Sequence, residues 1–408
     1  MKQSNKISKA TILVGLFYPL YALPWIFKGM IRNEKWAFVM FSFFMGLFAI
    51  LYPPVGDFHQ YTMKAATYSM LSWEQFLAII TLKLDFLLYI TGYLLDKINV
   101  PFDFTRFLYN FFGYMLIGAL YRDLRLNNPI LNDKRYRLKS LIVFVSFSLV
   151  GNLFRFGFST QLFMYGAYLI VFRENRKGWI FVALSVFNHF SFLIFAVSLI
   201  VFKVFRIHFS RRFIIFIGVT AALLSGDLFM DVFKMLPLPT DIVEHYSYYL
   251  DGYYAKDWQN ELTWKEQLAN MISSCIMYIM VLVYILLYSD ENRKITILTN
   301  SLMLLSFITL PFTVINGRFM GVMAYSIKVF YLNNFKHNKL FNKTLNILFG
   351  LSLISILMGF WNCRRQLSIS RESQLVYTPS LLILTNTYDM KWIISNIDDE
   401  GGFLRIMN

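Results

Sequence analysis

Four ionisable side chains, Asp57, Arg155, His189 and Arg318, stand beside apolar runs that approach or reach the length of a bilayer crossing. A carboxylate and an imidazole suit proton abstraction from a hydroxyl. A guanidinium suits a phosphate, which it can hold through two parallel hydrogen bonds. The set points to general-base chemistry next to an anionic ligand. A charge at membrane depth costs about 2.5–3.5 kcal/mol, so each of the four is a functional candidate.

The elements that must position them follow from composition. Of 408 residues, 57% are hydrophobic, 19% aromatic and 15% charged, which excludes an ordinary water-soluble domain. Apolar runs such as 36–51, 138–154, 213–224, 277–288 and 345–360 come close to the ~20 residues of a crossing once their flanks are added. Lipid offers no partner to an unpaired backbone group, so the expected fold is all-α: a polytopic integral membrane protein with 11–13 transmembrane helices in a single domain over 1–408. The first apolar segment lacks a small-residue cleavage site and reads as a retained helix.

The net charge of +15 could suggest nucleic acid, but 21 of the 39 Lys and Arg lie in six short clusters between apolar runs. That is the positive-inside pattern, so nucleic acid is not an expected partner. With all six clusters cytoplasmic, three hairpins turn at the outer face, with Arg155, His189 and Arg318 at their tips. The arms around His189, 179–187 and 190–202, are short enough to be re-entrant; the alternative is one continuous span over 179–201. Two longer outer loops follow, 55–101 with amphipathic stretches at 73–82 and 86–98, and 237–265. A C-terminal tail, 362–408, is also placed outside.

Each motif has a structural alternative. Asp57 follows Tyr52-Pro-Pro-Val-Gly56 and is a suitable helix N-cap, with Tyr61 on the same face. Otherwise it is a capped turn in a solvated loop. Arg155 and Arg318 either grip phosphate or snorkel to the interface. His189, with Ser191 two residues on, is a second candidate base or a hydrogen-bonded packing residue. The 237–265 loop interleaves Tyr and Trp with acids and a histidine; among these Asp241, His245, Tyr249 and Asp251 suit sugar rings and hydroxyls, although aromatic residues also collect at bilayer interfaces. Cys275 and Cys363 are far apart and no metal-type His or Cys spacing occurs, so neither metal nor cofactor is expected.

The ordered set Asp57-Phe58 with Tyr61, Arg155 before the basic loop 173–177, His189-Phe-Ser191, and Arg318-Phe319 resembles the EpsG-like branch of the Wzy-type bacterial polysaccharide polymerases, whose layout is similar to multi-span glycosyltransferases of the GT-C kind. The resemblance covers about residues 11 to 335. The family often has an Arg shortly before the Asp, where this chain has Tyr52-Pro53-Pro54, and a polar residue after the first Arg, where it has Phe156. The resemblance implies polymerisation of O-antigen, capsule or exopolysaccharide at the outer face of the bacterial inner membrane. An undecaprenyl-diphosphate-linked oligosaccharide is the implied substrate, membrane lipid the surrounding partner and a chain-length regulator a candidate partner. Asp57 or His189 would be the base, Arg155 and Arg318 the diphosphate ligands, and Tyr61 and Ser191 substrate contacts. Two other classes share these features: a GT-C enzyme adding one sugar from a polyprenyl phosphate, and a flippase or exporter of lipid-linked oligosaccharide.

Overall fold

Proline and glycine punctuate a chain that otherwise favours helix. The computed structural model describes residues 2–81, 83, 85–145, 154–205, 209–223, 263–287, 293–310, 312–385, 388–398, 401–402 and 404. Among these the regular structure is helical, and the chain falls into two compact units, 1–168 with 176–193 and 359–408, and 169–175 with 194–358.

In the first unit, α1 (Lys2–Phe17) and α2 (Pro19–Ile31) are separated at Tyr18, where Pro19 opens the new helix. Helices α3 (Lys35–Leu51) and α7 (Phe104–Asn127) form its longest pairing and run antiparallel, with Gly46 facing Phe107 and Gly118 facing Phe38. A Cβ on Gly46 would lie 2.7 Å from the Phe107 ring, so the missing side chain is what lets the helices approach.

The expected outer segment 55–101 contains three helices: α4 (Asp57–Ser69), α5 (Trp73–Ile80) and α6 (Leu87–Lys97). Ser72 and Gln75 close a capping box at the start of α5. The apolar faces of α5 and α6 meet through Phe76, Ile80, Tyr89 and Tyr93, with the Phe76 and Tyr93 rings stacked at 4.1 Å. The two amphipathic stretches read from the sequence therefore bury their apolar stripes on each other and on Tyr61 and Tyr68 of α4.

After α8 (Arg137–Phe144), α9 (Phe154–Val171) and α10 (Gly178–Asn188) pack antiparallel, Tyr165 against Phe181 at one end and Asn188 against Arg155 at the other. The helix breaks at 189–191, and Phe192, opening α11 (Phe192–Phe205), lies against Phe156 and Phe163. The chain thus turns back at His189, which excludes a single continuous helix over 179–201.

The second unit holds most of α11 and α12 (Arg211–Leu223), α13 (Trp264–Leu287), α14 (Arg293–Ile308), α15 (Thr313–Asn333) and most of α16 (Lys339–Asn362). Helices α14 and α15 are joined by a Thr299–Ser326 hydroxyl pair at 2.9 Å, and α13 reaches α14 through Tyr284 Oη and Asn300 at 2.6 Å. Beyond α16, in the first unit, come four short helices: α17 (Arg364–Ile369), α18 (Gln374–Tyr377), α19 (Ser380–Leu384) and α20 (Met390–Asn396).

Among the described residues, two helices, Gln267–Leu287 and Lys339–Asn362, are long and apolar enough to cross a membrane, and five further apolar helices have 10–17 residues. The 11–13 crossings expected for the whole chain are not counted by this measure, and the break at 189–191 leaves the two arms around it below the ~20 residues of a full span. On α11, Leu193, Val197, Ile200 and Val204 all face outward at helical spacing, as do Leu268, Met271, Leu282 and Leu286 on α13. Water does not favour such stripes, whereas lipid does.

Candidate active site around Arg155

Asp57 is placed by the way α3 ends. The two prolines after Tyr52 cannot continue the helix, and Gly56, at φ +59°, sits at the N-cap of α4. Asp57 is therefore the first residue of α4 and not its N-cap, and no side chain caps that helix. From there Asp57, Tyr61 and Lys64 recur at four and three residues and share one face. The exposed carbonyls at the end of α3 are met by Arg106 of α7, which is only 3% exposed and donates to the carbonyls of Tyr52 and, at 3.3 Å, Ile50. Arg106 also pairs with Asp103 at 2.7 Å and lies 4.4 Å over the Phe58 ring.

Arg155 is the second residue of α9 and is 7% exposed. Burial inside protein overturns interface snorkelling as its role. A guanidinium so placed needs a partner, and Asp85, in the segment between α5 and α6, supplies it through a direct ion pair. The guanidinium lies 4.9 Å over the Tyr61 ring, while its Nε is buried with no hydrogen-bond acceptor among the described residues. Tyr61 in turn packs on an apolar cluster that includes Phe58, Tyr109, Phe154 and Phe158. The end of α10 is tied to this point: Asn188 donates to the Arg155 carbonyl at 2.9 Å and to Ser159 Oγ at 2.8 Å.

Two lysines complete the site. Lys83 lies 4.8 Å over the Tyr89 ring, and Tyr89 packs edge-on to Tyr61. Burial, together with the charges of Lys83 and Arg155, holds the Lys64 ammonium below the usual lysine range, with Asp85 and Asp57 opposing. Burial pushes the Tyr61 phenol above its usual range despite the nearby Arg155. Arg155, Lys64 and Lys83 against Asp57 and Asp85 leave an excess of one positive charge on an aromatic floor. Such a site favours an anion.

His189 is the C-cap of α10, edge-on to Phe156, the residue after Arg155. Its Nδ1 is 2.8 Å from Ser191 Oγ. The structure thus brings Tyr61 and Arg155 into contact, sets Asp57 within electrostatic reach of Tyr61 and Lys64, and joins His189 to Ser191 one residue from the Arg155 anchor, Asn188.

Arg318 belongs to the second unit. It was expected at a hairpin tip, but α14 ends at Ile308 and α15 begins at Thr313, so the turn falls around 309–312 and Arg318 lies in the second turn of α15. The sequence has Pro311 in that interval, where a helix cannot continue. A Cβ built on Gly317 or Gly321 meets nothing within 4 Å, so the helix surface beside Arg318 is open among the described residues. Asp241, His245, Tyr249 and Asp251 lie outside the described residues. Among the described residues no group of three or more His, Cys, Asp or Glu gathers to hold a metal ion.

Asp85, Lys64 and Arg106 have no role in a reading of the sequence alone. Asp85 and Arg155 are 70 positions apart, which no local pattern connects. Arg106 does carry a local signal, Asp103-Phe-Thr-Arg106 at the head of an apolar run, the same logic that marks Arg155.

Among the described residues, helices with lipid-suited outer stripes and a buried arginine laid on the Tyr61 ring suit a membrane protein. Residues 34–369 match the EpsG family, and the chain belongs to it. With membership comes the general role of a glycosyltransferase-like polysaccharide polymerase. No curated protein and no solved structure matches the chain.

Proposed function

We propose that this protein joins lipid-linked oligosaccharide repeat units at the outer face of the bacterial inner membrane. The growing glycan is transferred from undecaprenyl diphosphate to the non-reducing end of a new repeat unit. The observation that carries this reading is the net positive cluster that Arg155 and Lys83 form with Lys64, which shares a face of α4 with Asp57.

In this scheme the acceptor hydroxyl attacks the anomeric carbon of the donor sugar. The bond from that carbon to the diphosphate oxygen breaks, and undecaprenyl diphosphate leaves with the electron pair. Asp57 takes the hydroxyl proton. Asp85 already offsets one charge of Arg155, so the two lysines supply much of the attraction for the leaving diphosphate, while Arg155 fixes their geometry through Tyr61. His189, paired through Nδ1 with Ser191 Oγ, is the alternative base. Arg318 and the acids and aromatics of 237–265 are assigned to the remainder of the substrate.

The test is a gel of the surface glycan from cells lacking the protein. The deletion is expected to leave single repeat units on the lipid; wild type restores the ladder and Asp57→Asn does not. An unchanged ladder in the deletion rejects the polymerase, and full restoration by Asp57→Asn rejects Asp57 as the base.

A further inference from the structure

The family match stops at residue 369, yet the segment that follows is bonded to the peptide groups from which α4 starts. The Arg371 backbone N–H donates to the Leu51 carbonyl at 3.2 Å. The Tyr388 phenol donates to the same carbonyl at 2.7 Å, and its backbone N–H reaches Asp103 Oδ2 at 3.3 Å. Asp103 in turn holds Arg106, the residue that covers the carbonyls of Ile50 and Tyr52. The last contact is the closest to Asp57: the Gly56 N–H donates to the Gly401 carbonyl at 2.8 Å. Gly401 has φ +86°, and a Cβ there would lie 2.7–2.9 Å from the backbone O, N and Cα of Gly56, so only glycine fits.

We infer that the described residues of the segment, from Arg371 through Tyr388 to Gly401, are a positioning element of the site, a brace that fixes the turn 52–56 and so sets the direction in which α4 presents Asp57, Tyr61 and Lys64. Four backbone groups at the α3–α4 junction, the carbonyls of Ile50, Leu51 and Tyr52 and the Gly56 N–H, have their partners in this segment or in the Asp103–Arg106 pair it supports. The turn carries two prolines and a glycine at positive φ, so it has no helical ladder of its own to define it. Ser380 anchors the segment from the other side by donating to the Gly15 carbonyl at 3.1 Å, and α19 packs on α1 and α3.

Three variants of the full-length protein in detergent test the inference: Gly401→Ala, Tyr388→Phe and a chain ended after Asp398. The readout is amide hydrogen exchange. The brace predicts exchange faster by about tenfold at Gly56 and through 59–61 in Gly401→Ala and in the shortened chain, the loss of about one hydrogen bond, with α9 unchanged. Tyr388→Phe is expected to act at 51–52 and less at 59–61. Exchange at 56–61 that does not rise above that of α9 in both Gly401→Ala and the shortened chain overturns the inference. This measurement needs no substrate, so its outcome is separate from whether Asp57 is the base.

Discussion

Arg155 and Arg318 are the same residue type near the head of an apolar helix, and the sequence treats them as twins. Their surroundings differ. Arg155 is buried, paired to Asp85 and laid on Tyr61, with the end of α10 tied to its own backbone. Arg318 lies in the second turn of α15, partly exposed, between two glycines at which a Cβ would meet nothing within 4 Å among the described residues. A buried cation must be satisfied by the fold before any ligand arrives, and so it becomes part of the architecture as well as of the site. A partly exposed one is solvated in part by water, so the fold depends on it less. Removing the first should damage folding and activity together, and removing the second should damage activity alone.

Asp85→Ala should have the largest effect on the protein itself. It strands the Arg155 guanidinium, and the expected loss is about 3–5 kcal/mol of stability, read as a fall in thermal midpoint and in membrane level. Replacing Lys64 and Lys83 together with Ala is expected to lower polymer yield roughly a hundredfold at an unchanged midpoint, because each ammonium contributes a charge-assisted bond worth about 1.5–3 kcal/mol. A fall in midpoint comparable to that of Asp85→Ala would assign the lysines to the architecture. Arg318→Ala should lower yield about tenfold with no change in midpoint. A large loss of stability there would erase the contrast with Arg155.

The smallest effect concerns the C-terminal segment. Burial pushes the Glu372 carboxyl up to about 8, against the opposing charge of Arg106, and both its oxygens are buried without a hydrogen-bond partner among the described residues. Between about 4.5 and 8 the folded chain holds a proton that the unfolded chain has lost, so stability falls as pH rises through that window. Glu372→Gln should remove this slope and raise the midpoint at pH 8.5 by a few degrees; an unchanged slope would place the titration elsewhere.

The helical class, the amphipathic pair in 73–98 and the reversal at His189 were legible because each rests on local pattern: hydrophobic period, turn residues and charge clusters. The family resemblance was legible from the order of four motifs. Asp57 was misjudged by one position as an N-cap because Gly56, at positive φ, takes that place. Arg318 lies past the turn expected at it, because α14 ends at Ile308 and α15 begins at Thr313, an interval where the sequence has Pro311. The Asp85 partner of Arg155 and the bond from Gly401 to Gly56 join residues 70 and 345 positions apart, so nothing in the local sequence announces them.

The most direct test of the central claim, that Arg155 serves the anionic ligand and not the fold alone, replaces the pair as a whole. Asp85→Leu with Arg155→Met removes both charges and keeps the volume, an exchange that buried ion pairs often tolerate or even gain from. The thermal midpoint of the purified double variant and the glycan ladder of cells carrying it are measured side by side. The account predicts a midpoint near that of wild type with no ladder. A folded double variant that restores the full ladder would contradict it and leave the pair as architecture only.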